Sequence, residues 1–167
     1  MTRIRQWAGK SQRYGWVKGM APELTELEKQ MTELVRQRMQ ASNSSEMLGF
    51  EVESVHDGRA VFVLRVQDRH RQIHGVVHGG ILASLADTTG AIAAYTVVPL
   101  GTELATLEMK INYLEPVPGG KIKAEAKVLR AGRNFIVTEC EIYNESGTMA
   151  AKALMTFAAA SGETLRR

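Results

Sequence analysis

The densest chemistry in the chain lies in His74-Gly75-Val76-Val77-His78-Gly79-Gly80-Ile81-Leu82-Ala83-Ser84-Leu85-Ala86-Asp87. Gly79 and Gly80 open an Ala- and Leu-rich stretch that reads as a buried helix over residues 79–96. Amides of a first helical turn that carry no side chains can be approached closely at the positive end of the helix dipole. That suits an anion or a polarised carbonyl oxygen, which is oxyanion-hole chemistry, although a tight turn uses paired glycines equally often. Asp87 sits among apolar neighbours from Leu82 to Ala94. An uncompensated carboxylate there is costly, so it must be paired, hydrogen-bonded or functional. Tying it to nearby threonine hydroxyls or to a partner helix would satisfy it without catalysis.

Eight residues separate Gly79 from Asp87, about 12 Å of helical rise and about 80° of rotation beyond two full turns. One substrate carbonyl cannot touch both on a single helix. An antiparallel partner helix can bring its own Asp87 opposite this Gly79, so a site using both lies between two subunits, and a two-fold dimer carries two of them.

Other reactive residues read more plainly. His70, His74 and His78 recur every four residues, but Gly75 and the β-branched Val76-Val77 argue against a helical metal face, and no metal is expected. His56 beside Asp57-Gly58 reads as a solvated turn residue, and His74 as a backbone hydrogen-bonding partner. Cys140 alternates with polar neighbours and reads as a small packed hydrophobe. Ser84 lacks a nucleophile elbow. Glu139 and Glu141 read as the wet face of a strand. Arg130-Ala131-Gly132-Arg133 puts two guanidiniums at one hairpin tip, free for phosphate or simply solvated.

The elements that must hold these residues follow from periodicity. Ala21-Pro22-Glu23 opens a helix whose Leu24, Leu27, Met31, Leu34, Val35 and Met39 recur at spacings of three and four, and Ser42 to Ser45 breaks it. Period-two runs then predict strands at 50–55, 59–66, 103–114, 121–130, 135–143 and 148–158, with Asp57-Gly58 as a two-residue hairpin turn. Hairpin-linked strands imply a largely antiparallel sheet with the 79–96 helix across it, an α+β architecture. The chain has 167 residues, 44% of them hydrophobic and 23% charged, which fits one globular domain with an extension. A single cysteine excludes a disulfide framework within the chain. Residues 1–21 carry Arg3, Arg5, Lys10, Arg13 and Lys18 and no acid, which leaves 16 of the 21 basic residues against 18 acidic ones elsewhere. The body is therefore near neutral, unlike a nucleic-acid-binding domain. The leader reads as a frayed terminus, or alternatively as a transit peptide or membrane-touching arm. Asp87 in the only long apolar stretch argues against membrane insertion, so a soluble, cytoplasmic protein is expected, with organellar targeting left open.

His78-Gly79-Gly80, the following Leu85-Ala86-Asp87 and Gly90, and the strand Leu107-Glu108-Met109-Lys110-Ile111-Asn112-Tyr113-Leu114 with Pro116 resemble the hotdog-fold acyl-CoA thioesterases of the phenylacetate-degradation type. The likeness spans residues 48–160. It implies a hotdog fold, an antiparallel sheet wrapped around one long central helix, here with an extra N-terminal helix. The expected organisation is a leader and helix over 1–46, the catalytic domain over 47–162 and a tail over 163–167. It also implies hydrolysis of an acyl-CoA to a free acid and coenzyme A, without a cofactor, by a homodimer that pairs further into a dimer of dimers. In that scheme Asp87 is the base or nucleophile, and the Gly79 amide polarises the thioester oxygen with Gly80 beside it. His78 holds the thioester end. Thr106 holds the attacking water, and Gln72 stands where relatives often carry a shorter Asn. Arg130 and Arg133 would meet the coenzyme A phosphates. Two other functions fit the same elements: an enoyl-thioester hydratase or dehydratase, and a non-catalytic acyl-CoA sensor.

Overall fold

A computed structural model describes residues 25–161. Helix α1 spans Glu26–Gln40, α2 Asn43–Leu48 and α3 Gly79–Tyr95; the strands are β1 Phe50–His56, β2 Arg59–Arg65, β3 Thr102–Tyr113, β4 Lys121–Ala131, β5 Phe135–Tyr143 and β6 Met149–Ser161. All six strands form one antiparallel sheet in the order β1-β2-β4-β5-β6-β3. The expected α+β arrangement is therefore present, with every strand within a few residues of its periodicity.

The N-terminal helix departs from expectation in three ways. It begins at Glu26 under a Thr25 capping box, in which the Thr25 N–H donates to Glu28 Oε2 at 2.8 Å; Pro22 lies outside the described residues. Leu27 and Leu34 are 48% and 56% exposed, and the one buried residue of α1 is Thr32. The Thr32 hydroxyl takes the Val55 N–H at 2.9 Å, while Arg36 Nε and Nη2 donate to the carbonyls of Val52 and Glu53. The predicted Met31, Val35 and Met39 do pack against the core, and beside them these bonds satisfy the outer backbone of β1, so this edge of the sheet is covered. The break at Ser42 is brief: Asn43–Leu48 resumes as α2, which runs through the expected boundary at residue 46.

His56 is not a solvated turn residue. Its Nδ1 lies 3.0 Å from Glu28 Oε1, joining the end of β1 to α1. Burial alone would raise the Glu28 carboxyl, but the bonds from His56 and Thr25 outweigh it and hold the carboxyl below its usual range.

The inner sheet face presents Phe62, Leu64, Ile122, Ile136, Cys140, Ile142, Met155 and Phe157 to Leu82, Leu85, Ala86, Ala93 and Ala94 of α3. Contact is closest at Gly90, where a Cβ would fall 2.6 Å from Met155 Cε and 2.9 Å from Thr138 Oγ1. A glycine inside a helix costs stability, and here it lets α3 lie directly on β5 and β6. Cys140 is a packed hydrophobe as expected, and burial together with nearby carboxylates pushes its thiol far up. On the outer face Glu139 and Glu141 are not simply wet. Lys127 meets Glu139 at 2.6 Å, Lys152 reaches both carboxylates, and Tyr143 donates to Glu141, with the Glu139 side chain only 16% exposed. No helix among the described residues is long and apolar enough to cross a membrane.

Candidate active site

Two loops and two elements build the site. After β2 the chain forms a short 3-10 turn, Asp68–His70, whose His70 is almost wholly buried. The Gln67 N–H donates to His70 Nδ1 at 3.0 Å, Arg69 Nε lies 3.3 Å from Nε2, and a backbone hydrogen bond ties the ring to Leu48. The His70 carbonyl in turn accepts the His78 N–H at 2.8 Å, and Val77 donates to Val117. Residues 71–78 are thus pinned at both ends while Ile73 and His74 project outward. Gln72 is held through its backbone, donating to the Val76 carbonyl and accepting from Gly75, and among the described residues no hydrogen bond directs its carboxamide.

His78 is the N-cap of α3, and its Nδ1 accepts the Gly80 N–H at 2.9 Å. The neutral ring therefore carries its proton on Nε2. The Ile81 N–H goes to the His78 carbonyl, and among the described residues the Gly79 N–H meets no acceptor. One first-turn amide is left open at the positive end of a 17-residue helix. The paired glycines need correcting in one respect. They are not bare backbone awaiting a ligand, because a Cβ on Gly79 would lie 3.1 Å from Tyr113 Cζ, and one on Gly80 would lie 2.9 Å from His78 Nδ1.

Asp87 lies two turns along, on the half-buried side of α3 and not enclosed by apolar residues as its neighbours suggest. Its partner comes from β3: Thr106 Oγ1 donates to Asp87 Oδ1 at 2.8 Å. Among the described residues no cation is paired with the carboxylate, and the nearby Thr89 hydroxyl turns away to the Leu85 carbonyl. Seven residues along β3, Tyr113 donates its hydroxyl to the Gly79 carbonyl at 3.0 Å. Edge strand β3 thus touches α3 at its first turn and at its middle. Sequence reasoning missed Tyr113; the only signal is its register opposite Ala151, which turns it toward the inner face. Ser84 donates to the Gly80 carbonyl.

Arg130 and Arg133 stand exposed at the β4–β5 hairpin. The register runs Thr106 to Phe157 to Ile136 to Ala131, so the hairpin sits three strands from Thr106 at the same level of the sheet, about 14 Å away. Gly79, Gly80 and His78 therefore cluster at one place, Asp87 and Thr106 at another, and the arginines at a third. Among the described residues no three His, Cys, Asp or Glu side chains gather as a metal site would need.

The comparisons agree with this architecture. Residues 74–151 match the family model of the thioesterase superfamily. An inferred esterase of Saccharolobus solfataricus is 40% identical over 107 residues, covering 64% of this chain and 76% of that protein. The 1,4-dihydroxy-2-naphthoyl-CoA hydrolase of Listeria monocytogenes is 31% identical over 101 residues, covering 60% and 82%. Among solved structures, the PaaI protein of the Escherichia coli phenylacetic acid degradation operon superposes with a TM-score of 0.74 at 25% identity, covering 82% of this chain and 98% of that one. With its strand order, its central helix and its match to these proteins, the chain belongs to the thioesterase superfamily, as a hotdog-fold enzyme of the thioester-hydrolase class.

Proposed function

We propose that the chain hydrolyses acyl-CoA thioesters to a free carboxylic acid and coenzyme A, at two sites built between the subunits of a homodimer. The observation that carries this reading is the split of the machinery along one helix. An open amide stands at Gly79, and a hydroxyl-oriented carboxylate stands at Asp87 two turns away. Each half lacks what the other has, and an antiparallel copy of α3 supplies it.

The two sheet edges favour such a copy. α1 covers β1, whereas the 12-residue β3 carries exposed Leu107 and Tyr113, with Leu114 just beyond it, and has no neighbour on its outer side among the described residues. A long uncovered edge strand is a template for pairing. Pairing β3 to its symmetry mate continues the sheet and sets the two α3 helices side by side.

In the site, the thioester carbonyl oxygen points at the Gly79 N–H of one subunit and the Asp87 carboxylate of the other faces the carbonyl carbon. With Asp87 as base, it takes a proton from water as the water oxygen attacks that carbon. The oxyanion gathers its charge against the Gly79 amide, then collapses and expels the coenzyme A thiolate, which takes the proton back from Asp87. With Asp87 as nucleophile, its Oδ2 bonds the acyl carbon and displaces the thiolate, and water then hydrolyses the mixed anhydride. In both routes Thr106 fixes Oδ1, so the other oxygen does the work. His78 Nε2–H and the Gln72 carboxamide are the remaining donors near the thioester, and Gly80 lines the same turn. Arg130 and Arg133 receive the phosphates of coenzyme A. No cofactor or metal enters either route.

The test is release of free thiol from a panel of aryl, short-chain and medium-chain acyl-CoAs. Turnover by the wild type, with a loss of about two orders of magnitude or more in Asp87→Asn at unchanged dimerisation, is the expected result. Tight binding of acyl-CoA with no thiol released by the wild type would overturn the reading in favour of a sensor. Hydration of an enoyl-CoA without thiol release would overturn it in favour of a hydratase. A single turnover in oxygen-18 water tests the nucleophilic route, because label in Asp87 arises only when water opens an acyl-aspartyl anhydride at the Asp87 carbonyl.

A further inference from the structure

The Gly79–Gly80 peptide is gripped from both sides. Its carbonyl accepts the Tyr113 hydroxyl at 3.0 Å, and its N–H donates to His78 Nδ1 at 2.9 Å. The Tyr113 ring fills the space a side chain at 79 would take, with Cζ and Cε1 3.1 and 3.2 Å from the position of a Cβ. A glycine flanked by a second glycine is the most conformationally free point in a chain, and a first-turn peptide has no intrahelical bond to its own N–H. Left alone, the first turn of α3 would fray and the Gly79 N–H would wander. Two side chains from different elements remove that freedom, one from the loop before α3 and one from the edge strand.

The grip also selects. By occupying the Gly80 N–H, His78 leaves the Gly79 N–H as the amide presented outward, and Tyr113 holds the plane that follows it. We propose that Tyr113 is a positioning residue for thioester hydrolysis, which with His78 clamps the Gly79–Gly80 peptide so that the Gly79 N–H points where the oxyanion forms. The proposal rests on the thioesterase reading above, and adds a residue that touches no substrate. It also ties catalysis to assembly, because Tyr113 ends the strand whose open edge is the proposed pairing edge.

Oxyanion contacts act in the transition state more than in the ground state, and small misplacements of them are expensive. Tyr113→Phe keeps the ring and its packing on Gly79 and removes only the donor. The expected result is a kcat lowered about tenfold, with KM within about twofold and the melting temperature nearly unchanged. A folded Tyr113→Phe with wild-type kcat, or with a loss seen only in KM, overturns the positioning role. A wild type that releases no thiol overturns the thioesterase reading and this role together, so the two failures are distinguishable. A second arm reads stability alone, through Gly79→Ala in the wild-type and Tyr113→Ala backgrounds. If the ring packs as described, Gly79→Ala destabilises the wild type more than it destabilises Tyr113→Ala. Equal losses in the two backgrounds would overturn the clamp.

Discussion

A carboxylate that receives one hydroxyl has one oxygen fixed and one left to react. Thr106 does this for Asp87 at 2.8 Å, from a strand that is far from Asp87 in sequence. Thr106→Val is expected to lower kcat about tenfold while leaving KM nearly unchanged, because it loosens the carboxylate without removing it. Steady-state kinetics on one good acyl-CoA would check this; a rise in KM at constant kcat would instead make Thr106 a substrate-binding group. Asp87, Gly79 and His78 stand out as candidates in the sequence because their types and spacing lie within one short segment. Tyr113 and the Thr106 contact were not legible as partners, since the sheet register that brings them to α3 depends on a bulge at Thr106 to Glu108.

His70 was equally hidden, as an ordinary member of a polar stretch. Burial, with the Arg69 charge beside it, holds its imidazole below the usual value near 6.5, and the Leu48 carbonyl only partly opposes this. A histidine depressed in the folded state is neutral in both states at high pH and costs nothing there. As pH falls through about 6.5 the unfolded chain takes up the proton first, so folding stability declines toward lower pH and levels off once His70 itself protonates. Melting temperatures between pH 7.5 and 5.5 should fall accordingly. The carboxyls of Glu28, Glu139 and Glu141 are lowered, so what they contribute is lost only at more acidic pH. A flat profile would contradict the burial of a neutral His70.

At the scale of elements, two contacts set how α3 and α1 lie on the sheet. Gly90→Ala forces a methyl against Met155 and Thr138 and should cost about 1–3 kcal/mol, as overpacked sites do. Thr138 supplies the converse experiment: among the described residues its buried hydroxyl has no hydrogen-bond partner, so Thr138→Val should be neutral or stabilising in thermal or urea denaturation. Thr32→Ala strands the Val55 N–H and should cost about 1–3 kcal/mol, far more than removing a surface hydroxyl. Periodicity located α1 and the Met31, Val35 and Met39 side of its packed face, but Leu27 and Leu34 stay exposed, and apolar spacing cannot register the hydrogen bonds of Thr32 and Arg36. The strands were found almost to the residue, since alternation survives in a sheet with one greasy and one charged face.

At the scale of the molecule, the described residues present one covered edge and one uncovered edge, and an outer sheet face on which Lys121, Lys123, Lys127 and Lys152 meet glutamates. Phe135 and Leu154 stand exposed on that outer face, which suits it to the expected contact between dimers. The antiparallel sheet and the helix across it followed from hairpin turns and period, but the strand order did not: β3 lies beside β6 at an edge rather than next to β4. The proposed second subunit rests on a geometric demand, made by the eight residues between Gly79 and Asp87. That demand can be tested by mixing two inactive subunits. Asp87→Asn removes the carboxylate, and Gly79→Pro removes the amide at a first-turn position where proline suits a helix, with Tyr113 giving way slightly. Co-refolded in equal amounts, half of the dimers are mixed, and each mixed dimer keeps one site with both groups intact. Thiol release should recover to about a quarter of the wild-type rate. If the mixture stays as inactive as its parents while heterodimers form, Asp87 and Gly79 do not act on one thioester across the interface.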